Sequence, residues 1–453
     1  MGPADLSVHA RHVRGRRGRD QHRRQRRRPR HPASDGLSAR ADRRLRRPDP
    51  ADRRHSGGRG PARAVDPPVA VRASGCDRCC RPVIGDLDIL GVGDIGARRA
   101  DLGSIFRGCR ETLRGGLTFG QLETTVSDRG AKVPNAKLAM RAPLGLAPVL
   151  RDAGFDVMSF AGNHCLDWGY DAFDDTLAHM AAADITLCGA GRDLASALEP
   201  VILERNGVRV AFIAASAILP EGYAAEADRP GCAPLRAHTL YEQIEHDQPG
   251  TPARIRTAPH GGDLQALIDM VRTARAAAEI VIVSLHWGIH MVKGELADYQ
   301  RRAGHALIDA GADGIFGHHP HIMKGIELHR GRPIFYSLGN FAIEQPHVWD
   351  PAIVRSASFR HLVSLNSSWS PDNAYMLPEE TRITGVARLV VREGRLAEVR
   401  FLPAWIEDDS APVMLAAADP RFERVRAYLE EVTASEGLST RFHADGDELV
   451  IRA

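Results

Sequence analysis

A chain of 453 residues with 43% hydrophobic content can bury a large core, and 60 basic against 57 acidic side chains exclude an overall polycation or polyanion. The balance hides an asymmetry: residues 1–80 carry 22 Arg and 8 Asp with neither Lys nor Glu, so the remainder is acidic. Seven cysteines, an odd number, argue against a disulfide framework, and no apolar run reaches the 18 residues of a membrane-spanning helix.

Residues 1–81 read as Arg, Pro, Gly, Asp and Ala without aliphatic periodicity, too apolar-poor to offset chain entropy, so disorder is expected there. Arginine without lysine and with abundant proline reads as translation from a mis-assigned start rather than as an anion-binding tail, and nucleic acid is not expected as a partner. Cys76, Cys79 and Cys80 form a CxxCC cluster, but no second cluster completes a zinc site. With no signal peptide, the chain as written is expected in the cytoplasm; a different true start would leave room for export or membrane association.

Four β-rich runs then end on polar tips. Asp86 to Asp94 delivers Asp94, Phe155 to Ala161 delivers Gly162-Asn163-His164, Ile280 to Leu285 stops at His286, and Gly314 to Gly317 ends on His318-His319-Pro320-His321. Helical patterns over 142–153, 170–183, 262–278 and 297–310 alternate with them, which predicts α/β architecture. In such sheets ligands bind outside the carboxyl ends of the strands, so four polar tips describe one shared site.

Residues 217–261, with Tyr223, Tyr241, His246 and His260, read as a long aperiodic insertion over the strand tips, and 342–380, with Trp349 and Trp369, as a second rim. Arg382 to Ile406 predicts a hairpin turning at Glu393-Gly394, and Pro420 to Glu436 an amphipathic closing helix. The expected organisation is an extension over 1–81, a core over 82–345, and a C-terminal part of the same domain over 346–453.

Each tip alone has a bland reading. A strand-end Asp is commonly a cap, and a buried histidine beside a tryptophan is commonly a satisfied core residue. Three imidazoles within four residues are costly to bury unless partnered, and the joint set points to metal. Imidazole with carboxylate and amide oxygen suits Mn, Fe or Zn.

Gly93-Asp94-Ile95, Leu122-Glu123, Asn163-His164 with Asp167 and Gly169, His286-Trp287-Gly288, the histidine cluster with Gly325-Ile326-Glu327, and Tyr336 to Phe341 resemble the signature blocks of the CapA family of capsule and poly-γ-glutamate biosynthesis proteins, within the calcineurin-like metallophosphoesterases. The resemblance implies a four-layer sandwich, two mixed sheets face to face with helices outside. It implies Asp94, Glu123, Asn163, His286, His319 and His321 as ligands of one or two divalent ions. It also makes His164 the catalytic acid and offers Asp167 as its nearby carboxylate.

Gly96 stands where the superfamily has a histidine, Gln121 where the family has Asn, and Cys165 where an acidic residue follows Asn-His, so a single metal fits as well as two. Cys165 reads as a small core residue beside the site. The implied activity is phosphoester hydrolysis; the alternative is a non-catalytic component that binds an anionic polymer or capsule-synthesis proteins.

Overall fold

A computed structural model describes residues 85–453 apart from 137, 246, 248, 249, 345–350, 367 and 370–374. These belong to the second of two compact units, Asp77–Ala453. The Arg-rich extension, the CxxCC cluster, His246 and Trp349 lie outside the described residues.

In chain order, the strands that position the site are β1 (Leu87–Gly96), β2 (Leu117–Leu122), β3 (Phe155–Ser159), β4 (Val208–Ser216), β5 (Ile280–His286), β6 (Gly314–His318), β7 (Ile326–His329) and β8 (Asn340–Ile343). The helices are α1 (Leu146–Ala153), α2 (Gly169–Ala182), α3 (Gly261–Ala277), α4 (Asp298–Ala310) and α5 (Pro420–Ser435). β1 lies inside a ten-stranded mixed sheet, parallel to β2 on one side and antiparallel to the strand Ile383–Arg392 on the other. β8 runs parallel to the end of β1, and β2 runs parallel to β3. The second sheet has six strands, with β4, β5 and β6 parallel at its centre and β7 at one edge.

β5 is buried at every position, as its run of Ile280 to Val283 with Leu285 requires of a strand covered on both faces. The sheets pack face to face through Phe119 of β2, whose ring stacks on Phe212 of β4 at 5.7 Å and meets Phe316 of β6 at the same separation. Leu267 and Val271 of α3 and Leu307 of α4 cover the outer face of the second sheet, and Leu146, Leu150, Phe173 and Met180 of α1 and α2 join the core of the first. The layers are helix, sheet, sheet, helix, the four-layer α/β sandwich expected. No helix among the described residues is long and apolar enough to cross a membrane.

The insertion over 217–261 is more regular than expected. Ala237–Glu242 and Arg254–Pro259 form an antiparallel hairpin, which leans on α4 where the Thr257 N–H donates to Asp298 at 3.0 Å. Ala237–Glu242 is exposed along its whole length, so neither face needs the apolar alternation that would have betrayed a strand. His260 is a helix cap, accepting from the Asp263 N–H. In the second rim, Ser356 caps a short helix, Ala357–Leu365. The hairpin turning at Glu393-Gly394 and the closing helix α5, with Pro420 in its first turn, appear where the sequence places them.

Candidate metal centre

The carboxyl ends of β1, β2, β5 and β6 meet between the two sheets. Asp94 is fully buried there. Its register against β8 shifts between Asp94 and Ile95, a bulge of the kind that re-aims side chains at sites. Gly93 makes the approach feasible: a Cβ at that position would lie 2.1 Å from the Gly339 carbonyl oxygen, which also accepts the Asp94 N–H at 3.0 Å. Gly93→Ala is therefore expected to destabilise the fold by at least about 1–3 kcal/mol, because the obstacle is backbone and cannot rotate away; an unchanged urea midpoint would refute this.

Gly317 plays the same part in β6, where a Cβ would stand 2.2 Å from the Tyr336 carbonyl oxygen. The next residue, His318, places Nδ1 3.3 Å from Asp94 Oδ1. His319 and His321 then follow at φ of 93° and 59°. These left-handed conformations are costly for side-chain-bearing residues, and such strain concentrates at functional sites.

His321 puts Nδ1 3.1 Å from Asp94 Oδ2 and 2.8 Å from Asn340 Oδ1, and its Nε2 lies 3.6 Å from Glu123 Oε1. Glu123 leaves the end of β2, its N–H donating to Ile95 at 2.8 Å. His286 closes β5 and holds Nε2 2.7 Å from Asn163 Oδ1 and 3.8 Å from Glu123 Oε1. The His319 ring centroid lies 5.0 Å from that of His286 and 5.3 Å from that of His290.

His164 stands on the rim. Its Nδ1 pairs with Asp167 Oδ2 at 2.6 Å, and its Nε2 faces Glu123 Oε1 at 3.8 Å. Asp167 is itself pinned, accepting from the Met140 N–H at 2.7 Å and from the Tyr223 hydroxyl at 3.0 Å. A carboxylate held this way fixes both the ring orientation and the tautomer of its histidine.

Charge is poorly balanced in this pocket. Burial pushes the Glu123 carboxyl well above its ordinary range, and the neighbouring Asp94 adds to it. For Asp94, burial acts upward but His318 and His321 outweigh it, and the group is held well below the usual value. Burial drives His286 and His290 each down to about 3 and His319 well below normal.

Both oxygens of Asp94, both of Glu123, Nδ1 of His286 and both ring nitrogens of His318 have no hydrogen-bond partner among the described residues. Buried polar atoms are rarely left so. One ligand atom each from Asp94, Glu123 and His286 lies within 4.8 Å of the others. This donor set fits a divalent cation, which would satisfy the orphaned atoms and offset the buried acidic charge.

The structure thus brings Asp94, Glu123, Asn163, His164, Asp167, His286, His319 and His321 to one place. It adds His318, His290, Asn340 and Tyr223. His290 lies in a non-helical turn after His286, where a spacing of four carries no signal, whereas Asn340 stands in the Tyr336 to Phe341 block. Tyr223, inside the insertion, gave no sequence signal for its contact with Asp167. Cys165 is buried, and burial pushes its thiol well above the ordinary value, as suits an inert core residue.

A family model described as bacterial capsule synthesis protein PGA_cap matches residues 82–345. The chain is 34% identical over 198 residues to the PGA biosynthesis protein CapA of Bacillus subtilis, covering 44% of this chain and 45% of that protein. It is 31% identical over 196 residues to the capsule biosynthesis protein CapA of Bacillus anthracis, covering 43% and 42%. The match thus spans less than half the length of these relatives. Among solved structures, the calcineurin-like phosphoesterase YfkN from Bacillus subtilis aligns at 15% identity and a TM-score of 0.34, over 78% of this chain and 98% of that one.

Proposed function

Since the chain belongs to the PGA_cap family of bacterial capsule synthesis proteins, we propose that it is a metal-dependent hydrolase of phosphoesterase-like chemistry, acting in capsule or poly-γ-glutamate biosynthesis on a phosphoester or an anionic polymer. The observation that carries this reading is the Tyr223–Asp167–His164 chain ending beside Glu123. A scaffold that merely holds an ion has no use for an imidazole oriented by a pinned carboxylate at its edge.

Asp94, Glu123 and His286 would hold a Mn, Fe or Zn ion, with His318, His321, His319 and Asn163 adjoining and available to a second. Such an ion, when bound, polarises a phosphoryl oxygen and stabilises its developing charge. Water attacks phosphorus in line as the ester P–O bond breaks, its released proton passing to solvent; His164 as imidazolium gives the proton on Nε2 to the departing ester oxygen, while Asp167 on Nδ1 stabilises the charged ring and holds its aim. Tyr223 and the Met140 N–H keep Asp167 in place, so Asp167→Asn is expected to lower turnover by about 10–100-fold through loss of aim; unaltered turnover would exclude the positioning role.

The test of the reading is hydrolysis of bis(p-nitrophenyl) phosphate by the full chain loaded in turn with Mn, Fe and Zn. Activity that a chelator removes and re-added metal restores supports it. Stoichiometric metal without hydrolysis under any loading would overturn it in favour of a metal-holding assembly component of the capsule system.

A further inference from the structure

Away from this centre, His305 and Asp309 stand one turn apart on α4, and Glu327 and His329 alternate on the same face of β7. His305 Nε2 meets Glu327 Oε1 at 2.9 Å, and His329 Nε2 meets Asp309 Oδ1 at 3.0 Å. The two imidazoles lie parallel, 6° between planes and 4.0 Å between centroids, and because a ring nitrogen's lone pair lies in the ring plane, binding one ion requires the two rings to tilt toward it. Ligand atoms of His305, Glu327 and His329 fall within 4.8 Å of one another. All three side chains are part-buried, so the atoms are both fixed and reachable from solvent.

We propose that His305, Glu327 and His329 form a second, structural metal site of the zinc class that staples α4 to the edge strand β7. Two imidazoles and a carboxylate are the donor set that zinc and neighbouring late transition ions prefer over magnesium or calcium. Coordination needs the Nε2 lone pairs, so each neutral ring carries its proton on Nδ1 in the bound form and no net proton is lost. Asp309 or a water takes the fourth position; Arg330, 3.1 Å from Asp309, competes for that carboxylate.

Glu327 is prepared for the role from behind. Its other oxygen accepts from the Tyr336 hydroxyl at 2.7 Å, the outer-shell contact that metal-binding carboxylates commonly have. The Tyr336 ring stacks on Trp287 at 5.8 Å, and Trp287 follows His286 in the chain. A staple here therefore stiffens the wall behind the first centre without sharing a residue with it.

The experiment is titration of the metal-free full chain with zinc alone, comparing wild type with His329→Ala and with His329→Gln. The expected result is one zinc per chain fewer in both variants, with phosphodiester turnover unchanged. Equal zinc content in wild type and folded variants overturns the proposal, as does a difference seen only at millimolar zinc, which would be surface chelation. Both variants keep the first centre intact, so the comparison stands whether or not that centre hydrolyses phosphoesters. Cobalt substitution gives a second readout: visible bands of a tetrahedral ion are expected in Glu123→Gln, whose first centre is broken, and are lost in Glu123→Gln/His329→Ala.

Discussion

Replacing His164 with Ala is expected to lower phosphodiester turnover by about 100- to 10,000-fold, the range of a lost general acid, while metal content stays that of the wild type. Both halves matter. The His164 side chain reaches the cluster only through Nε2, 3.8 Å from Glu123, and its firm bond points away, to Asp167. Removing it leaves Asp94, Glu123 and His286 where they are. Loss of metal along with turnover would make His164 a ligand rather than an acid. Full turnover in the variant would remove the hydrolytic mechanism altogether, because no other described imidazole at the rim is held by a carboxylate in this way.

Stripping the metal is expected to make the protein acid-labile across a defined window. His286 and His290 are held to about 3 by burial, against an unfolded value near 6.5. Between these values the unfolded chain binds protons that the folded chain refuses. The stability from keeping the rings neutral is present above about pH 6.5 and is lost as pH falls toward 3, at about 1.4 kcal/mol per pH unit for each ring.

Asp94 works in the same direction: held low when folded, it contributes above its unfolded value and loses that contribution as pH falls through its folded one. Glu123 works oppositely. Its raised folded value gives a contribution present below the unfolded value of about 4.3 and lost as pH rises. Urea midpoints of the chelated protein from pH 3 to 8 check this, and a flat profile over the acid limb would sink it. With metal bound, Glu123 faces a cation rather than Asp94 alone, and the loss on the alkaline side is expected to vanish.

Much of this was legible in the chain because buried parallel strands leave a plain mark. Ile280 to Leu285, broken only by the small Ser284, and Gly314 to Gly317 are otherwise apolar, so the histidine that follows each stands out. The helices between them carry the 3.6-residue period of surfaces packed on one side only. What escaped notice did so for physical reasons. In the hairpin formed by Ala237–Glu242 and Arg254–Pro259, the first strand is exposed along its whole length and the second is only part-buried against α4, so neither carries an apolar alternation to read. The terminal hairpin of Arg441–Asp445 and Glu448–Arg452 is too short for a clear period: its apolar signal is Phe442 and the three residues Leu449 to Ile451.

Tyr223 contacts Asp167 across 56 residues of chain, a pairing set by tertiary packing and invisible to any local window. The family resemblance makes Gly96 a lost ligand. The pocket nonetheless gathers His318 and His321 around Asp94 from the opposite sheet, so the imidazole count around that carboxylate does not depend on position 96.

The place of β1 in its sheet sets an order of events in the life of the molecule. Asp88 on this strand pairs with Arg388, 300 residues later, and Asp94 is braced by Gly339 and aligned with Asn340. The first carboxylate synthesised for the pocket must therefore wait for strands made far later, and closing such a loop is slow. Under the metal-dependent reading, the histidines can act before then only as loose chelators, and choice among ions by pocket geometry begins once Asn340 and the strand Ile383–Arg392 have joined β1.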